Sequence, residues 1–409
     1  MHYEYIDDRQ QLADFCDSVR ETPFLGFDTE FVSEDTYRPQ LYLIQVATAE
    51  QLAVIDPLAV EDVTCFWELL VNGGHETIVH AGREELRFCL HATGRRPAQW
   101  FDIQMAAGFI GLEYPAAYST LISKLLNKTL PKGETRTNWR RRPLSEKQLD
   151  YALQDVLYLK DIRDLLHKQL EALGRLDWLR GESQAWQEQI EQSEAQEQWR
   201  RVSGITNLSS QQLNIAREIW RWRDAEARRR NRPPKRVLRD DLLVELALRQ
   251  TDSAQRIRAV RGMEHRHLQK DLSDIAKSIT KALQAPQDSW PKRISRSNRS
   301  QPPLVLLGQF LNSALGSICR KAQIAPGLVG TVQDVRDLVA NRLGLAADRQ
   351  LAPSLTKGWR SEIVGRQLDQ LLAGKSVLRV TDPLSDQPLS IAPLAETNGS
   401  SGDGAEDTI

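Results

Sequence analysis

Cysteine is scarce in this chain. Its 409 residues hold four, Cys16, Cys65, Cys89 and Cys319, with no Cys-x-x-Cys and no paired histidine spacing. That excludes a disulfide framework and a Cys/His zinc site, and it leaves thiols suited to a reducing compartment. Long apolar runs are missing too, none approaching the roughly 18 residues of a membrane span. The opening stretch MHYEYIDDRQ is acidic and polar, which argues against a signal peptide, so the expected location is the cytoplasm, away from membrane. Excess charge of either sign is absent, with 54 Lys and Arg against 55 Asp and Glu. No whole-molecule field draws the chain to nucleic acid, and any such attraction has to come from local patches. What is present, 41% hydrophobic and 27% charged residues, is the balance of a soluble globular protein of about two to four domains.

Strand and helix patterns alternate through residues 1–175. Strands are expected at 24–31, 40–48, 51–56 and 77–81, and amphipathic helices near 61–71, 83–92, 103–111 and 118–127. A last long helix opens at Ser145, where Gln148 completes a capping box behind Pro143, and it runs to about Gly174. The pattern is that of an α/β domain, with hairpin strands first and helices covering the sheet. Beyond it the strand signal nearly vanishes. Residues 176–208 read as a helical connector and 209–284 as a helical unit interrupted at Arg232-Pro233-Pro234. Residues 285–303 read as a basic linker with Lys292, Arg293, Arg296 and Arg299, and 304–380 as a second helical unit. Residues 381–409 form an extended segment ending in a disordered acidic tail from Glu396.

Two carboxylates stand two positions apart inside the apolar run FLGFDTEF, residues 24–31. In a strand, alternate residues share a face, so Asp28 and Glu30 project together while Phe27, Thr29 and Phe31 pack on the other side. Adjacent anions call for a cation, although an exposed strand edge also carries such a pair at little cost. On the long helix, Tyr151 and Asp155 are four apart and share a face, although a Tyr at helical spacing is usually part of a core. Between them, Glu84 and Glu85 open a helix after the turn of VHAGREEL, where acids also suit the macrodipole.

In order, DTEF, HAGREEL, DIQMAAGF and NWRRRPLSEKQLDYALQDV, with TYRPQLYLIQVA and AVIDPL between them, resemble the exonuclease domain of the ribonuclease D family. That family belongs to the DEDD superfamily of 3′ to 5′ exonucleases. The resemblance implies a ribonuclease-H-like domain with a mixed sheet covered by helices, followed by two small all-α domains. It assigns Asp28, Glu30, Glu85 and Asp155 as ligands of two divalent ions, Mg²⁺ or Mn²⁺, with Tyr151 orienting a water. Asp102 of FDIQ takes a supporting role, and His80, at a strand end, reads as structural. The family pattern has Asp where this chain has Glu85. The added methylene moves the carboxylate by about 1.5 Å, so either the helix is offset to compensate or the second ion is held more loosely. Glu84, rotated about 100° away on a helix, is the weaker substitute.

IWRWRDAEARRRNRPPKRVLRDDLLVELA resembles the helical HRDC-type domain shared by RecQ-type helicases and ribonuclease D, with Trp220, Arg221, Trp222, Arg223 and Asp224 carrying the match. SLTKGWRSEIVGRQLDQLLAGK, with Trp359 and Arg360, is similar to the end of that family's second helical domain. Arg228, Arg229, Arg230, Arg232, Lys235 and Arg236 form a run of six cations without an acid. Such a run attracts phosphate, or it complements a helix C-terminus. The expected protein is a monomeric exoribonuclease that releases nucleoside 5′-monophosphates from RNA with a free 3′ end, tRNA precursors being the substrate the resemblance implies. A non-catalytic RNA-binding protein, suggested by Glu85, and a 3′ to 5′ DNA exonuclease are the alternatives.

Overall fold

The computed structural model describes residues 2–130, 137–293, 302–345 and 352–394. Arg296, Arg299 and the acidic tail from Glu396 lie outside the described residues. The chain divides into two compact units, Met1–Ala107 with Ala116–Arg296, and Gly108–Pro115 with Ser297–Ile409.

The first unit is built on a six-stranded mixed sheet: β1 (Glu4–Ile6), β2 (Phe24–Val32), β3 (Gln40–Ala47), β4 (Leu52–Ile55), β5 (Glu76–Val79) and β6 (Trp100–Asp102). Their spatial order is β1-β4-β3-β2-β5-β6, with β2–β3 and β3–β4 antiparallel and the other pairs parallel. β2 is therefore a central strand, flanked on both edges. One face of the sheet buries Phe27, Ile44, Val46 and Ile55 against Leu12, Phe15, Phe66 and Trp67. The other buries Leu43 and Val54 against Leu149, Ala152 and Leu153 of the helix Glu146–Leu157. Gly26 lets that second layer come close, since a Cβ there would stand 3.1 Å from Leu159.

The Ser145–Gln148 capping box is present, but the expected single helix is two, Glu146–Leu157 and Leu159–Ala172. The break has a tertiary cause. The Tyr158 backbone N–H donates to the Tyr118 hydroxyl at 3.2 Å, taking it out of the helical ladder. Two strands and a helix go beyond the sequence reading. β1 and β6 are three residues each, too short to display a period of two, and Arg9–Ser18 is a helix capped by the Asp8 side chain.

The helix Leu176–Ala195 leads to a helical bundle with its own core of Leu213, Ile219, Leu243, Met263 and Ile279. Trp220 and Trp222 pack against that core. Its first helix, Ser210–Arg230, stops at Asn231, which adopts the left-handed conformation before Pro233 and Pro234.

In the second unit the helix Pro302–Lys321 departs from the expectation that no stretch approaches a membrane span, being long and apolar enough to cross one by length and composition. Gln309, Asn312 and the small residues interrupt its apolar run without adding charge. Leu304, Leu311 and Leu315 on it are buried, while Leu306 and Phe310 are exposed. The stretch beyond residue 375 forms an antiparallel hairpin, β7 (Ser376–Val380) with β8 (Leu389–Pro393).

Candidate active site

Asp28 and Glu30 occupy the second half of β2, paired across to Gln45 and Leu43 of β3, and the register slips by one residue just after Glu30. The extra residue, Tyr42 of β3, marks a bulge beside the two acids, beyond which pairing resumes with Phe31 opposite Leu41 and Val32 opposite Gln40. Tyr151 and Asp155 lie on the helix Glu146–Leu157, which packs on β2 and β3. The four side chains are half-buried.

The carboxyls disturb one another. Burial pushes Asp28 well above the usual carboxylate range, and Glu85, Asp155 and Glu30 add repulsion in that order. Burial, then Asp155 and Glu85, lifts Glu30 to about 8. Burial lifts Asp155 to about 6 against the pull of the Tyr151 hydroxyl. Burial followed by Asp155, Glu30 and Asp28 raises Tyr151 to about 12. Strand and helix thus gather one electrostatic group, and among the described residues no basic side chain ranks with the causes that set these protonation states. Oxygen-only anionic donors that repel one another suit a hard divalent cation. Among the described residues, however, no three His, Cys, Asp or Glu side chains close into a finished metal cage.

Glu85 reaches this group from the helix Arg83–Thr93 and is 5% exposed. Its carboxylate accepts a hydrogen bond of 2.5 Å from the Thr29 hydroxyl. Burial raises Glu85 to about 7, and the Thr29 bond opposes the rise. Glu84 turns elsewhere, held by Arg87 at 2.8 Å. Asp102 ties down the turn before this helix, accepting from the backbone N–H groups of Ala81 at 3.1 Å and Gly82 at 3.2 Å, and from Gln104 at 2.8 Å. Gly82 is required there, because a Cβ would come within 2.6 Å of Trp100 and Val79. His80 is engaged with the Ala116 carbonyl at 2.9 Å.

One anchoring pair escaped the sequence reading although both members fall in quoted motifs. Arg142, just ahead of the Tyr151 helix, binds both carboxylate oxygens of Asp56 at 2.5 and 2.7 Å and the Tyr42 carbonyl at 2.8 Å. Tyr5 donates to the same carboxylate at 2.8 Å. A triple arginine, Arg140 to Arg142, with an upstream Asp-Pro was the available signal.

The basic run looks different in three dimensions, because acids one helical turn back and acids distant in sequence both pair with it. Arg230 pairs with Glu226 and with Asp271 at 2.5 Å, and it is only 25% exposed. Arg228 pairs with Asp224 at 3.0 Å and donates to the Tyr37 hydroxyl at 2.8 Å. Arg229 pairs with Glu226, Lys235 with Asp240 at 3.3 Å and Arg236 with Asp35 at 3.0 Å. Arg232 is exposed and makes no ion pair with any described residue. Tyr37 also donates to Asp224 at 2.8 Å, so the β2–β3 loop is tied to the helical bundle. A cleft of about 570 Å³ opens beside these contacts, lined among others by Arg38, Arg87, Arg201, Arg228 and Lys235.

A family model described as a 3′-5′ exonuclease matches residues 3–171, and an HRDC domain model matches residues 212–279. Ribonuclease D of Zymomonas mobilis is 32% identical over 92% of this chain and 95% of its own length. That of Pseudomonas paraeruginosa is 33% identical over 89% of this chain and 96% of its own. The crystal structure of Escherichia coli RNase D, an exoribonuclease involved in structured RNA processing, matches with a TM-score of 0.78 at 29% identity, covering 91% of this chain and 99% of that one. The exonuclease fold they share depends on divalent metal ions. Identity of this extent, running through both matched domains, makes the chain a member of the ribonuclease D family of 3′ to 5′ exoribonucleases.

Proposed function

We propose that this exoribonuclease holds two divalent cations, Mg²⁺ or Mn²⁺, between Asp28, Glu30, Glu85 and Asp155 and removes nucleotides from the 3′ ends of structured RNA, tRNA precursors among them. The observation that carries the reading is the mutual repulsion of carboxyls brought together from β2 and the Tyr151 helix, with no basic partner among the described residues. Cations bound there would lower the pKa of a water and offset charge at phosphorus. The protein's own part is positional. Asp28 and Glu30 are fixed by the central strand, and Asp155 by a helix that Arg142 anchors at its start. Tyr151, raised to about 12, keeps its proton and serves as a hydrogen-bond donor that orients water rather than as a base. Water adds to the terminal phosphorus and the bond to the 3′ oxygen breaks. The last nucleotide leaves as a 5′-monophosphate, and the shortened RNA retains a 3′ hydroxyl.

End-labelled RNA and DNA of one sequence, incubated with the protein in Mg²⁺, in Mn²⁺ and in EDTA, test this. Release of mononucleotides from RNA with either cation and none in EDTA is the expected result. Binding without cleavage in every condition identifies a non-catalytic RNA-binding protein, and preferential cleavage of DNA identifies a DNA exonuclease.

A further inference from the structure

Gln45 on β3 is 0% exposed, and neither its Nε2 nor its Oε1 has a hydrogen-bond partner among the described residues. A primary amide buried without partners costs folding free energy that an apolar side chain of similar length would not. Its position gives the cost a purpose. The antiparallel register sets Gln45 opposite Asp28 on one side and Val54 of β4 on the other. Directly opposed residues project to the same face with Cβ atoms about 5 Å apart, and Asp28 is the polar one of the two neighbours. The helix Glu146–Leu157 covers this face, with Leu149, Ala152 and Leu153 packed beside Leu43 and Val54. A residue so covered does not touch RNA. The Thr29 backbone amide already opposes the rise of the Asp28 carboxyl, and Gln45 is a side-chain donor that the β2–β3 register places beside it.

We infer that Gln45 is a positioning residue whose amide N–H is held in reserve for the Asp28 carboxylate, fixing its orientation when Asp28 holds a cation. The inference rests on the proposed role of Asp28 and adds the group that aims it. An apolar residue at 45 would pack better and work worse, so stability and activity are expected to move in opposite directions.

Gln45→Met tests this, with Mn²⁺ titrated alone and its binding followed by electron paramagnetic resonance. The cation-free variant should melt about 2 °C or more above wild type. On a short RNA oligonucleotide, KM should hold while kcat falls about tenfold, and Mn²⁺ binding should weaken by a similar factor. In an Asp28→Ala background the same substitution should change Mn²⁺ binding less than about twofold, because the carboxylate to be oriented is gone. Wild-type Mn²⁺ binding in Gln45→Met, an equal loss in both backgrounds, or a lower melting temperature overturns the inference. A wild-type protein that binds no Mn²⁺ overturns instead the reading of the acid cluster beneath it.

Discussion

The Thr29 hydroxyl donates to Glu85 across 2.5 Å, from the side of β2 opposite to the one that presents Asp28 and Glu30. The longer acid at this position is thus secured through one oxygen, leaving the other for a cation. Mg²⁺ demands near-ideal octahedral geometry, so it should suffer more than Mn²⁺ from a carboxylate held this way. Glu85→Asp, too short to keep the Thr29 bond in place, is expected to raise Mg²⁺-supported turnover toward the Mn²⁺ level. Glu85→Gln should lower turnover with both ions. Parallel rate measurements in the two cations decide it, and a wild-type Glu85→Gln would reduce Glu85 to a partner of Thr29 alone.

Asp28→Ala and Asp155→Ala should each leave less than about a tenth of wild-type hydrolysis, with RNA binding by fluorescence anisotropy largely intact. Each removes a charge from the mutually repelling group and no residue of the basic cleft. Substantial turnover in either variant would contradict the cation reading.

The outward cations Arg229, Arg232 and Lys235 provide a separate handle, Arg229 and Lys235 being 70% and 73% exposed. Exposed ion pairs are worth little and open readily for a phosphate. Replacing all three with Gln should weaken binding of a long structured RNA and reduce its log-log salt slope by roughly one unit per lost contact. Cleavage of a short single strand should stay within about twofold of wild type. Arg230 belongs elsewhere, since its contacts with Glu226 and Asp271 make Arg230→Gln a stability variant read by thermal melting.

Asp56→Asn should destabilise the exonuclease domain by about 3 kcal/mol at neutral pH, because it leaves the Arg142 guanidinium with an unpaired charge. Burial raises the Asp56 carboxyl, but hydrogen bonds from Arg142 and Tyr5 outweigh it and hold the group below its usual value. A carboxyl depressed in the folded state contributes stability above its unfolded pKa, about 3.9, and loses it as pH falls through the lower folded value. The gap between wild type and Asp56→Asn in chemical denaturation should therefore be full near pH 7 and shrink below about pH 4.

That Asp28 shares a face with Glu30, and Tyr151 with Asp155, was legible because each pair depends only on a local period, two along β2 and four along a helix. The period of two also gave the strand positions of the long hairpin, and the Ser-x-x-Gln spacing gave the capping box at Ser145. What escaped was set by partners far away in the chain. Tyr118 breaks the long helix at Tyr158, Asp56 waits for Arg142, and Asp271 reaches back to Arg230. Glu85 was visible as an acid, whereas its bond to Thr29 depends on how the Arg83–Thr93 helix meets β2. The basic run misled by its purity, since Asp224 and Glu226 lie one helical turn upstream of it and Asp35 and Asp271 are brought to it by folding.

The break at Tyr158 also shapes the field at the acids. Because the helix stops at Leu157, Asp155 lies in its last turn, toward the negative end of its macrodipole, and Tyr158 alone separates that helix from the next one, which opens at Leu159. An unbroken helix would have carried that end on to Ala172, more than four turns beyond Asp155 at about 3.6 residues each. Peptide carbonyls thereby join the side chains in attracting positive charge, a contribution that no substitution of an acidic residue removes.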